Sequence, residues 1–397
     1  MTWCDKGDVL SLIDNQLESD SLSEIVRVAA FDLDDTLCVY KKGKQYASTF
    51  VTVDESLPDK IADLVNNGYI IVVFTNQSGM SGDKFPLSEW KKKIKKVYDE
   101  MFKKVSDPIY FALYAAKKYD LYRKPNVGMW RMMKKDLNTA FGKKQISTKS
   151  FFVGDSAGRT QPSRLIRRCH PLGKKDRSDV DRKFALNTKL PFLTPDEFYL
   201  GEDDTPFLIS GFNPAAYIES IQDNPPEYEF VPRKKELIVM VGYAGSGKST
   251  FVKKNILPHK YVYVNRDEIG SMPKCVRMAE TLFKKGKSVV IDNTGLDVMS
   301  RMQFTSLAEK HGYAHIRCIM LETSSAMSNH MNNVRHVYSE GKIPRVPPLV
   351  YKMFCQKLIE PNDKEFFDEI ERVPFPFEPE RLSDPKWASA FLKLSED

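Results

Sequence analysis

Short apolar runs recur along the first half of the chain, and each one ends at a polar residue. The runs cover 26–31, 70–74 and 150–154. Apolar stretches of this length, separated by helical stretches, predict buried strands of a parallel sheet joined in βα units. The carboxyl ends of such strands meet at one edge of the sheet, where chemistry collects. The polar residues at these three ends are Asp32, Thr75 and Asp155.

The same pattern restarts in the second half of the chain. The run 236–241 predicts a strand that leads at once into a glycine-rich turn, and 261–264 and 288–291 predict further strands. The two halves are not repeats of one another, because their motifs differ. We therefore predict an α/β protein with two domains, each built around a mainly parallel sheet.

A proline-rich stretch over 201–235 separates the two halves. Its prolines are Pro206, Pro214, Pro225, Pro226 and Pro232. Such a stretch is typical of a linker or domain seam. The predicted organisation is a short N-terminal segment over 1–25, a first domain over 26–200, this seam, and a second domain over 236–397.

Composition narrows the class of protein. The chain has 397 residues, of which 42% are hydrophobic and 28% charged, as in a globular rather than a disordered protein. It contains no apolar run long enough to predict a transmembrane helix, and the acidic stretch 1–20 does not resemble a secretory signal. The six cysteines form no C-x-x-C pair, which favours a reducing compartment over a zinc or disulfide framework.

The chain carries a formal net charge of +7, with lysines clustered over 91–96 and 103–104. A basic surface favours a polyanion such as nucleic acid. A solvated helix face explains each cluster equally well, so charge alone leaves both interpretations open.

The first candidate site is the segment 31–37, which follows the first predicted strand and contains Asp32 and Asp34. One carboxylate there can attack phosphorus and form an aspartyl-phosphate. The second can protonate the departing alkoxide and then activate water. Clustered carboxylates need a cation, and Mg²⁺ prefers oxygen ligands. The alternative is an acidic turn that caps a helix.

Three later features accompany this segment in a fixed order: Thr75-Asn76-Gln77, a lysine beside a proline at 124–125, and Gly154-Asp155-Ser156. Thr75 and Asn76 offer a hydroxyl and an amide to phosphate oxygens, and a lysine can neutralise phosphate charge. The four elements together resemble the haloacid-dehalogenase-like phosphatase superfamily.

That resemblance implies a role for each residue. Asp32 is the nucleophile and Asp34 the general acid/base, while Thr75 and Lys124 hold the phosphoryl group. Asp32, Asp155 and the backbone carbonyl of Asp34 bind Mg²⁺. The residue after Asp34 is glycine in many members of the superfamily and Asp35 here, at a position that tolerates variation.

The second candidate site fits the pattern G-x-x-x-x-G-K-[ST] directly after a predicted strand. In such a P-loop, backbone N–H groups surround the phosphates of ATP, Lys248 reaches the β and γ oxygens, and the Ser249 hydroxyl binds Mg²⁺. A glycine-rich connection without nucleotide is the alternative. The predicted nucleotide-binding residues are Gly242, Tyr243, Ala244, Gly245, Ser246, Gly247, Lys248, Ser249 and Thr250.

Three residues beyond the P-loop are candidates for the transfer of the phosphoryl group to an acceptor. Asp267 follows a predicted strand and could take the proton from an attacking hydroxyl, although an N-cap role is the alternative. Asp292 follows another strand and could support the metal. Arg335 lies in a predicted helix and could act as a lid over the γ-phosphate, with a plain surface arginine as the alternative.

The two sites together resemble the polynucleotide kinase 3′-phosphatase family, from about Val26 to about Pro376. The resemblance implies removal of 3′-phosphate from DNA ends and ATP-dependent phosphorylation of 5′-hydroxyl ends. It makes Asp267 the kinase base and places Arg159 and Arg266, with Asn76, against the substrate. The segments that carry it are 31–34, 122–125, 128–130, 153–155, 157–159, 184–187, 264–267 and 291–294.

The family resemblance also implies partners and a location. We expect DNA ends (single-stranded, nicked or gapped) as substrates, no membrane, a monomer, and a nuclear address. Asp176 and Asp181 match acidic positions near the phosphatase metal, and their roles stay open.

Two departures from the family pattern matter. The segment 1–24 is too short for a forkhead-associated domain, so recruitment to phosphorylated scaffold proteins through such a domain is not expected. The lid reads His330-Met331-Asn332-Asn333, with Arg335 two residues on, instead of the family's His-Asn-Asn-Arg.

Two other functions fit the same motifs less well. A fused small-metabolite phosphatase and kinase is possible on fold alone, because both folds serve small molecules elsewhere. An inactive scaffold that binds DNA ends is the other alternative. Against it stand the intact Asp32, Asp34, Lys248 and Asp267, which a pure binding module does not need.

Overall fold

The structure is a computed structural model that describes residues 1–40, 50–81, 86–165, 176, 178–203, 205–222 and 228–396. The chain divides into two compact units, Met1–Ser210 together with Lys393–Glu396, and Gly211–Leu392. In the part of the chain described here, no helix is both long and apolar enough to cross a membrane.

The units differ in their limits from the organisation predicted from the sequence. The segment 1–25, expected to stand apart from the first domain, supplies two strands to its sheet. The division falls within the predicted seam, after Ser210, and residues 393–396 belong to the first unit. Pro225 and Pro226 of the predicted seam lie outside the described residues.

The strands of the first unit form one large sheet in the order β1-β2-β7-β6-β3-β9-β10, with β8 paired to β3 and a separate β4-β5 pair. From β7 to β10 along this order the strands are parallel, whereas β1 and β2 are antiparallel. The strands are β1 Thr2–Asp5, β2 Val9–Asn15, β3 Ile25–Phe31, β4 Cys38–Tyr40, β5 Phe50–Thr52, β6 Tyr69–Asn76, β7 Tyr110–Ala116, β8 Gln145–Ile146, β9 Phe151–Val153 and β10 Phe192–Leu193.

Helices cover both faces of this sheet, and its central strands are therefore buried on both sides. Phe31 and Val73 point into one apolar cluster with Trp90 and Ile94, while Phe74 belongs to a second cluster on the opposite face. The helices are α1 Leu57–Asn66, α2 Leu87–Met101, α3 Gly128–Phe141, α4 Val180–Thr188 and α5 Pro195–Leu200, with a 3₁₀ turn at Ser78–Ser81.

The second unit contains a parallel sheet in the order β12-β13-β11-β14-β15. Strand order reverses at β11, and in such sheets ligands bind beyond the carboxyl ends of the strands at this point. The strands are β11 Glu236–Val241, β12 Val262–Val264, β13 Val289–Ile291, β14 His315–Glu322 and β15 Glu369–Pro374.

Helices also flank the second sheet, over two apolar clusters on its opposite faces. The helices are α6 Pro214–Ile221, α7 Lys248–Phe251, α8 Arg266–Ile269, α9 Met272–Lys284, α10 Val298–Lys310, α11 Ser325–Tyr338, α12 Pro348–Lys357 and α13 Pro385–Phe391. Shorter turns are the π turn Val252–Ile256 and the 3₁₀ turns Leu257–His259, Asp363–Glu365 and Pro379–Ser383. The predicted α/β fold class is confirmed, and each of the six apolar runs contains a strand.

Candidate active sites

The first site lies where β3 ends. Asp32 is 8% exposed, and its backbone N–H donates to the Val153 carbonyl at 2.8 Å, which fixes it beside the end of β9. Asp35 has a φ of +58°, in the left-handed region that glycine adopts most readily and that aspartate tolerates better than most residues. This turn explains why glycine suits the position and why aspartate can replace it.

Three carboxylates and one lysine meet at this point. Ligand atoms of Asp32, Asp155 and Asp181 all lie within 4.8 Å of one another. The Lys124 ammonium is 2.5 Å from Asp32 Oδ1 and 2.6 Å from Asp181 Oδ1, and it is 2% exposed. Three carboxylates around a common point suit a hard divalent cation such as Mg²⁺, which takes oxygen ligands.

Asp181, whose role the sequence left open, is the third member of this cluster. It comes from α4, and its Oδ2 accepts a hydrogen bond from the Ser156 N–H at 3.1 Å. A Cβ on Gly154 would stand 2.6 Å from the Asp181 side chain, so the residue before Asp155 has to be glycine for α4 to approach this closely.

Burial and mutual repulsion shift the ionisation of these groups. Burial raises the pKa of Asp32 to about 7, which Lys124 opposes and the Asp181 charge supports. The pKa of Asp155 is also raised, by burial first and then by Asp181 and Asp32. A bound divalent cation would relieve both effects, because it stabilises the ionised carboxylates.

The predicted acid/base stands at the open side of the cluster. The Asp34 side chain is 37% exposed, and its two oxygens accept from Lys93 Nζ at 2.5 Å and from Gln77 Nε2 at 2.7 Å. Gln77 also donates to the hydroxyl oxygen of Thr75 at 2.9 Å, and Thr75 is buried. The strand ends therefore bring Thr75 and the two catalytic candidates of 32–34 to one cleft.

Two residues predicted to bind substrate have other contacts. The Asn76 side chain exchanges two hydrogen bonds with the Lys124 backbone, at 2.9 and 3.1 Å, and so holds the lysine in place. Arg159 is 4% exposed, and its guanidinium donates to Asp176, Asp196 and the Asp155 carbonyl. Both residues therefore support the site from within the protein, and their contact with substrate stays a prediction.

The second site is the turn between β11 and α7. Gly245 and Gly247 have φ values of +83° and +93°, and a Cβ on Gly245 would stand 2.3 Å from the Ser328 carbonyl oxygen. Lys248 Nζ donates to the carbonyl oxygens of Gly242 at 2.8 Å and Tyr243 at 2.6 Å. Burial lowers the pKa of Lys248 to about 8, against the attraction of Asp292.

Asp292 is the acidic centre of the second site. It is 2% exposed, and its Oδ2 accepts from the hydroxyls of Ser249 and Tyr263, both at 2.6 Å. Asn265 Nδ2 donates to the Asp292 carbonyl at 2.6 Å. The hydroxyl and the carboxylate predicted to support a metal are therefore side by side, and Tyr263, which sequence reasoning missed, joins them.

Asp267 lies in the first turn of α8 and is exposed. Its alternative role as helix N-cap is wrong, because the Asn265 side chain is the cap and accepts from the backbone N–H groups of Asp267 and Glu268.

Arg335 and Arg266 are both exposed, on α11 and α8. The positive charge of Arg335 lowers the pKa of Lys248, and the negative charge of Asp267 raises it. Both residues therefore lie near the P-loop lysine. The backbone N–H of Arg266 donates to Asn293 Oδ1 at 3.0 Å, while its exposed side chain stays a predicted substrate contact.

Comparison with known proteins gives concordant matches. The family model for polynucleotide kinase 3 phosphatase matches residues 27–199. A protein of Acanthamoeba polyphaga mimivirus, named as a bifunctional polynucleotide phosphatase/kinase, is 46% identical over 100% of this chain and 95% of its own. A Schizosaccharomyces pombe protein of the same name is 30% identical over 89% of this chain and 81% of its own.

A third relative matches a smaller part of the chain. The Arabidopsis thaliana polynucleotide 3′-phosphatase ZDP is 32% identical over 47% of this chain and 26% of its own length. The mimivirus and fission-yeast relatives, in contrast, extend across both halves. On this similarity, the chain belongs to the family of bifunctional polynucleotide phosphatase/kinases.

Proposed function

We propose that the protein processes DNA strand-break ends, removing 3′-phosphate at the first site and phosphorylating 5′-hydroxyl at the second. The observation that carries this proposal is the pair of sites in one chain, a buried carboxylate cluster with its lysine and a P-loop near an exposed aspartate. Together they supply the groups needed to release and to transfer a phosphoryl group.

At the first site, Asp32 attacks the phosphorus of the 3′-phosphate and displaces the 3′-oxygen of the sugar. Asp34 gives its proton to that oxygen, so a 3′-hydroxyl leaves and an aspartyl-phosphate remains. Asp34 then takes a proton from water, whose oxygen attacks the phosphorus and releases inorganic phosphate from Asp32. Lys124 and Thr75 hold the phosphoryl oxygens throughout.

Mg²⁺ at Asp32, Asp155, Asp181 and the Asp34 carbonyl would neutralise phosphate charge when bound. The cluster suits that ion in ligand type and number, as described above.

At the second site, Lys248 leaves the carbonyl oxygens that it contacts here and binds the β and γ oxygens of ATP. Asp267 removes the proton from a 5′-hydroxyl, whose oxygen attacks the γ-phosphorus and releases ADP. Arg335 covers the transferred group, and Arg266 contacts the acceptor strand. A second Mg²⁺ fits beside Ser249 and Asp292.

The net charge of +7 supports a nucleic-acid partner. We further propose that the protein acts as a monomer in the nucleus on single-stranded, nicked or gapped ends. Support for the location comes from the end-processing role itself.

The test is a nicked duplex that carries 3′-phosphate and 5′-hydroxyl at the nick. With ATP and Mg²⁺, we expect loss of the 3′-phosphate and labelling of the 5′ end, followed by a form that a ligase can seal. Change at one end only would leave one site without support. No change at either end, with retained binding to the nick, would favour a scaffold.

A further inference from the structure

One lysine of the 91–96 cluster does not lie on the surface predicted for that cluster. The Lys93 side chain is fully buried, while that of Lys92, its neighbour on α2, is 67% exposed. Lys93 shares the apolar face of α2 with Trp90 and Ile94, which pack into the sheet. Burying an ammonium among apolar side chains is unfavourable unless an opposite charge compensates it, so its partner is informative.

That partner is the candidate acid/base of the phosphatase. Lys93 Nζ is 2.5 Å from Asp34 Oδ1, and Gln77 Nε2 donates to the other oxygen of the same carboxylate. A carboxylate gripped at both oxygens has little freedom to rotate. Since the Asp34 side chain is 37% exposed, this grip fixes a carboxylate that opens onto the cleft.

A second group near Lys93 does not compete for its charge. Cys38, on β4, lies within hydrogen-bonding reach of Lys93, and burial raises the pKa of its thiol to about 12. The thiol is therefore neutral at ordinary pH and acts as a weak acceptor.

We propose that Lys93 is a positioning residue of the phosphatase, which holds Asp34 in line with the leaving oxygen and with the attacking water. The inference rests on the proposed function, in which Asp34 gives and then takes a proton. It adds a residue that does not touch the substrate and that acts through Asp34 in both half-reactions.

Only the first half-reaction depends on Asp34 to a degree that varies with the leaving group. Release of a sugar oxygen needs a proton, whereas release of nitrophenolate from p-nitrophenyl phosphate does not. Water attack on the aspartyl-phosphate needs Asp34 with both substrates. A variant that misplaces Asp34 should therefore still phosphorylate Asp32 from the aryl ester and then stall.

The experiment compares Lys93→Met with Lys92→Met in the full chain. Methionine keeps the length and apolar stem of Lys93 in its buried place, and Lys92 is the exposed control on the same helix. On a 3′-phosphorylated oligonucleotide, we expect kcat to fall about 100-fold in Lys93→Met, with KM little changed, and to stay near wild type in Lys92→Met. With p-nitrophenyl phosphate, Lys93→Met should give a burst of one nitrophenolate per enzyme before slow turnover.

The burst separates positioning from structural damage, because a collapsed site would give neither burst nor turnover. Asp34→Asn combined with Lys93→Met should be no slower than Asp34→Asn alone if Lys93 acts through Asp34. Turnover of Lys93→Met equal to that of Lys92→Met, loss of the burst, or additive losses in the double variant would each overturn the inference. A wild-type protein that leaves 3′-phosphate intact would instead overturn the proposed function.

Discussion

At the end of β3 a buried lysine is neutralised by buried carboxylates, whereas at the end of β11 a buried lysine is held by main-chain oxygens. In the first site Lys124 faces Asp32, Asp181 and the nearby Asp155, so negative charge is in excess. In the second, Lys248 contacts the neutral carbonyls of 242 and 243. The excess negative charge of the first site suits a cation, whereas the Lys248 ammonium of the second site contacts only neutral oxygens and can exchange them for phosphate oxygens.

The two sites also differ in how far their catalytic groups are fixed. At the first site, the proposed nucleophile Asp32 and the proposed acid/base Asp34 are both held by charged side chains. At the second site, Asp267 and Arg335 are exposed, and in the proposed mechanism Lys248 exchanges its present contacts for ATP. We infer that the phosphatase site needs little rearrangement beyond metal binding, while the kinase site is completed by its substrates.

The sharpest test of two independent sites removes the proposed nucleophile of the phosphatase. Asp32→Asn keeps the shape of the side chain and removes the attacking charge, so 3′-phosphate release should fall by about 10⁴-fold or more. Kinase activity on a 5′-hydroxyl end should stay near wild type. Equal loss of both activities, measured on the two ends of one nicked duplex, would contradict the separation.

The converse change is Lys248→Ala in the P-loop. Loss of the ammonium that we propose binds the γ-phosphate should lower 5′ labelling about 10³-fold and leave 3′-phosphate release intact. Lys254→Ala, in an exposed lysine beyond the P-loop helix, is the matched control. Retained labelling in Lys248→Ala would contradict the proposal that this turn binds the nucleotide.

A smaller effect distinguishes the two exposed kinase residues. Asp267→Asn should lower the kinase kcat about 100-fold by removing the proposed base. Because a base acts only on the acceptor, the KM for ATP should hardly change, whereas Arg335→Ala should also raise that KM. The check is steady-state kinetics at varied ATP, and an ATP effect in Asp267→Asn alone would reverse the two roles.

These differences show which parts of the molecule the sequence could predict. Apolar runs are a local property, so the strands and the polar residues at their ends were predictable. Whether a lysine on a helix faces water or Asp34 depends on packing, so the sequence alone does not distinguish Lys93 from its exposed neighbours. Asp181 approaches Asp155 only because α4 folds back over Gly154, and no spacing rule encodes that contact.

The same reasoning applies to two predicted substrate contacts. Asn76 and Arg159 carry groups that suit phosphate, and only the structure shows that these groups contact Lys124 and Asp176. The second strand, Val9–Asn15, is buried along most of its length. Acidic residues flank this strand, and the sequence therefore predicts a separate segment over 1–25 instead of a strand of the sheet.

The comparison of charge at the two sites can be tested by the pH dependence of stabilisation by Mg²⁺. In the metal-free protein, burial raises the pKa of Asp32 to about 7, from about 3.9 in an unfolded chain. The folded protein then holds this proton more tightly than the unfolded chain does. The resulting contribution to the free energy of unfolding is lost as pH rises from about 4 to about 7. Mg²⁺ binds the ionised form, so its stabilising effect should be larger at pH 8 than at pH 5.

Thermal unfolding of the first unit with and without Mg²⁺ measures this effect. At a Mg²⁺ concentration of about 100 times Kd, binding adds about 2.7 kcal/mol, which corresponds to a Tm increase of about 5–10 °C at pH 8. Asp181→Asn should reduce the increase. An increase that is the same at pH 5 and pH 8 would mean that the cation binds elsewhere.

The smallest expected effect comes from a tail that follows the kinase half in sequence. Glu396 accepts from Arg123 Nε and Nη2, both at 2.9 Å, directly beside Lys124. Asn187 links the Leu394 backbone to the Pro125 carbonyl through its amide. These contacts hold the loop that presents the phosphatase lysine, although the sequence assigned the tail to the kinase.

Glu396→Gln should therefore lower 3′-phosphate release about five-fold, equivalent to ~1 kcal/mol of activation free energy, and leave the kinase unchanged. The double variant with Arg123→Gln should be no slower than Arg123→Gln alone, because the two side chains act as one pair. Kinetics of both ends on the nicked duplex check this. If Glu396→Gln slowed 5′ labelling instead, the tail would serve the site that precedes it in sequence, and the phosphatase loop would hold Lys124 without it.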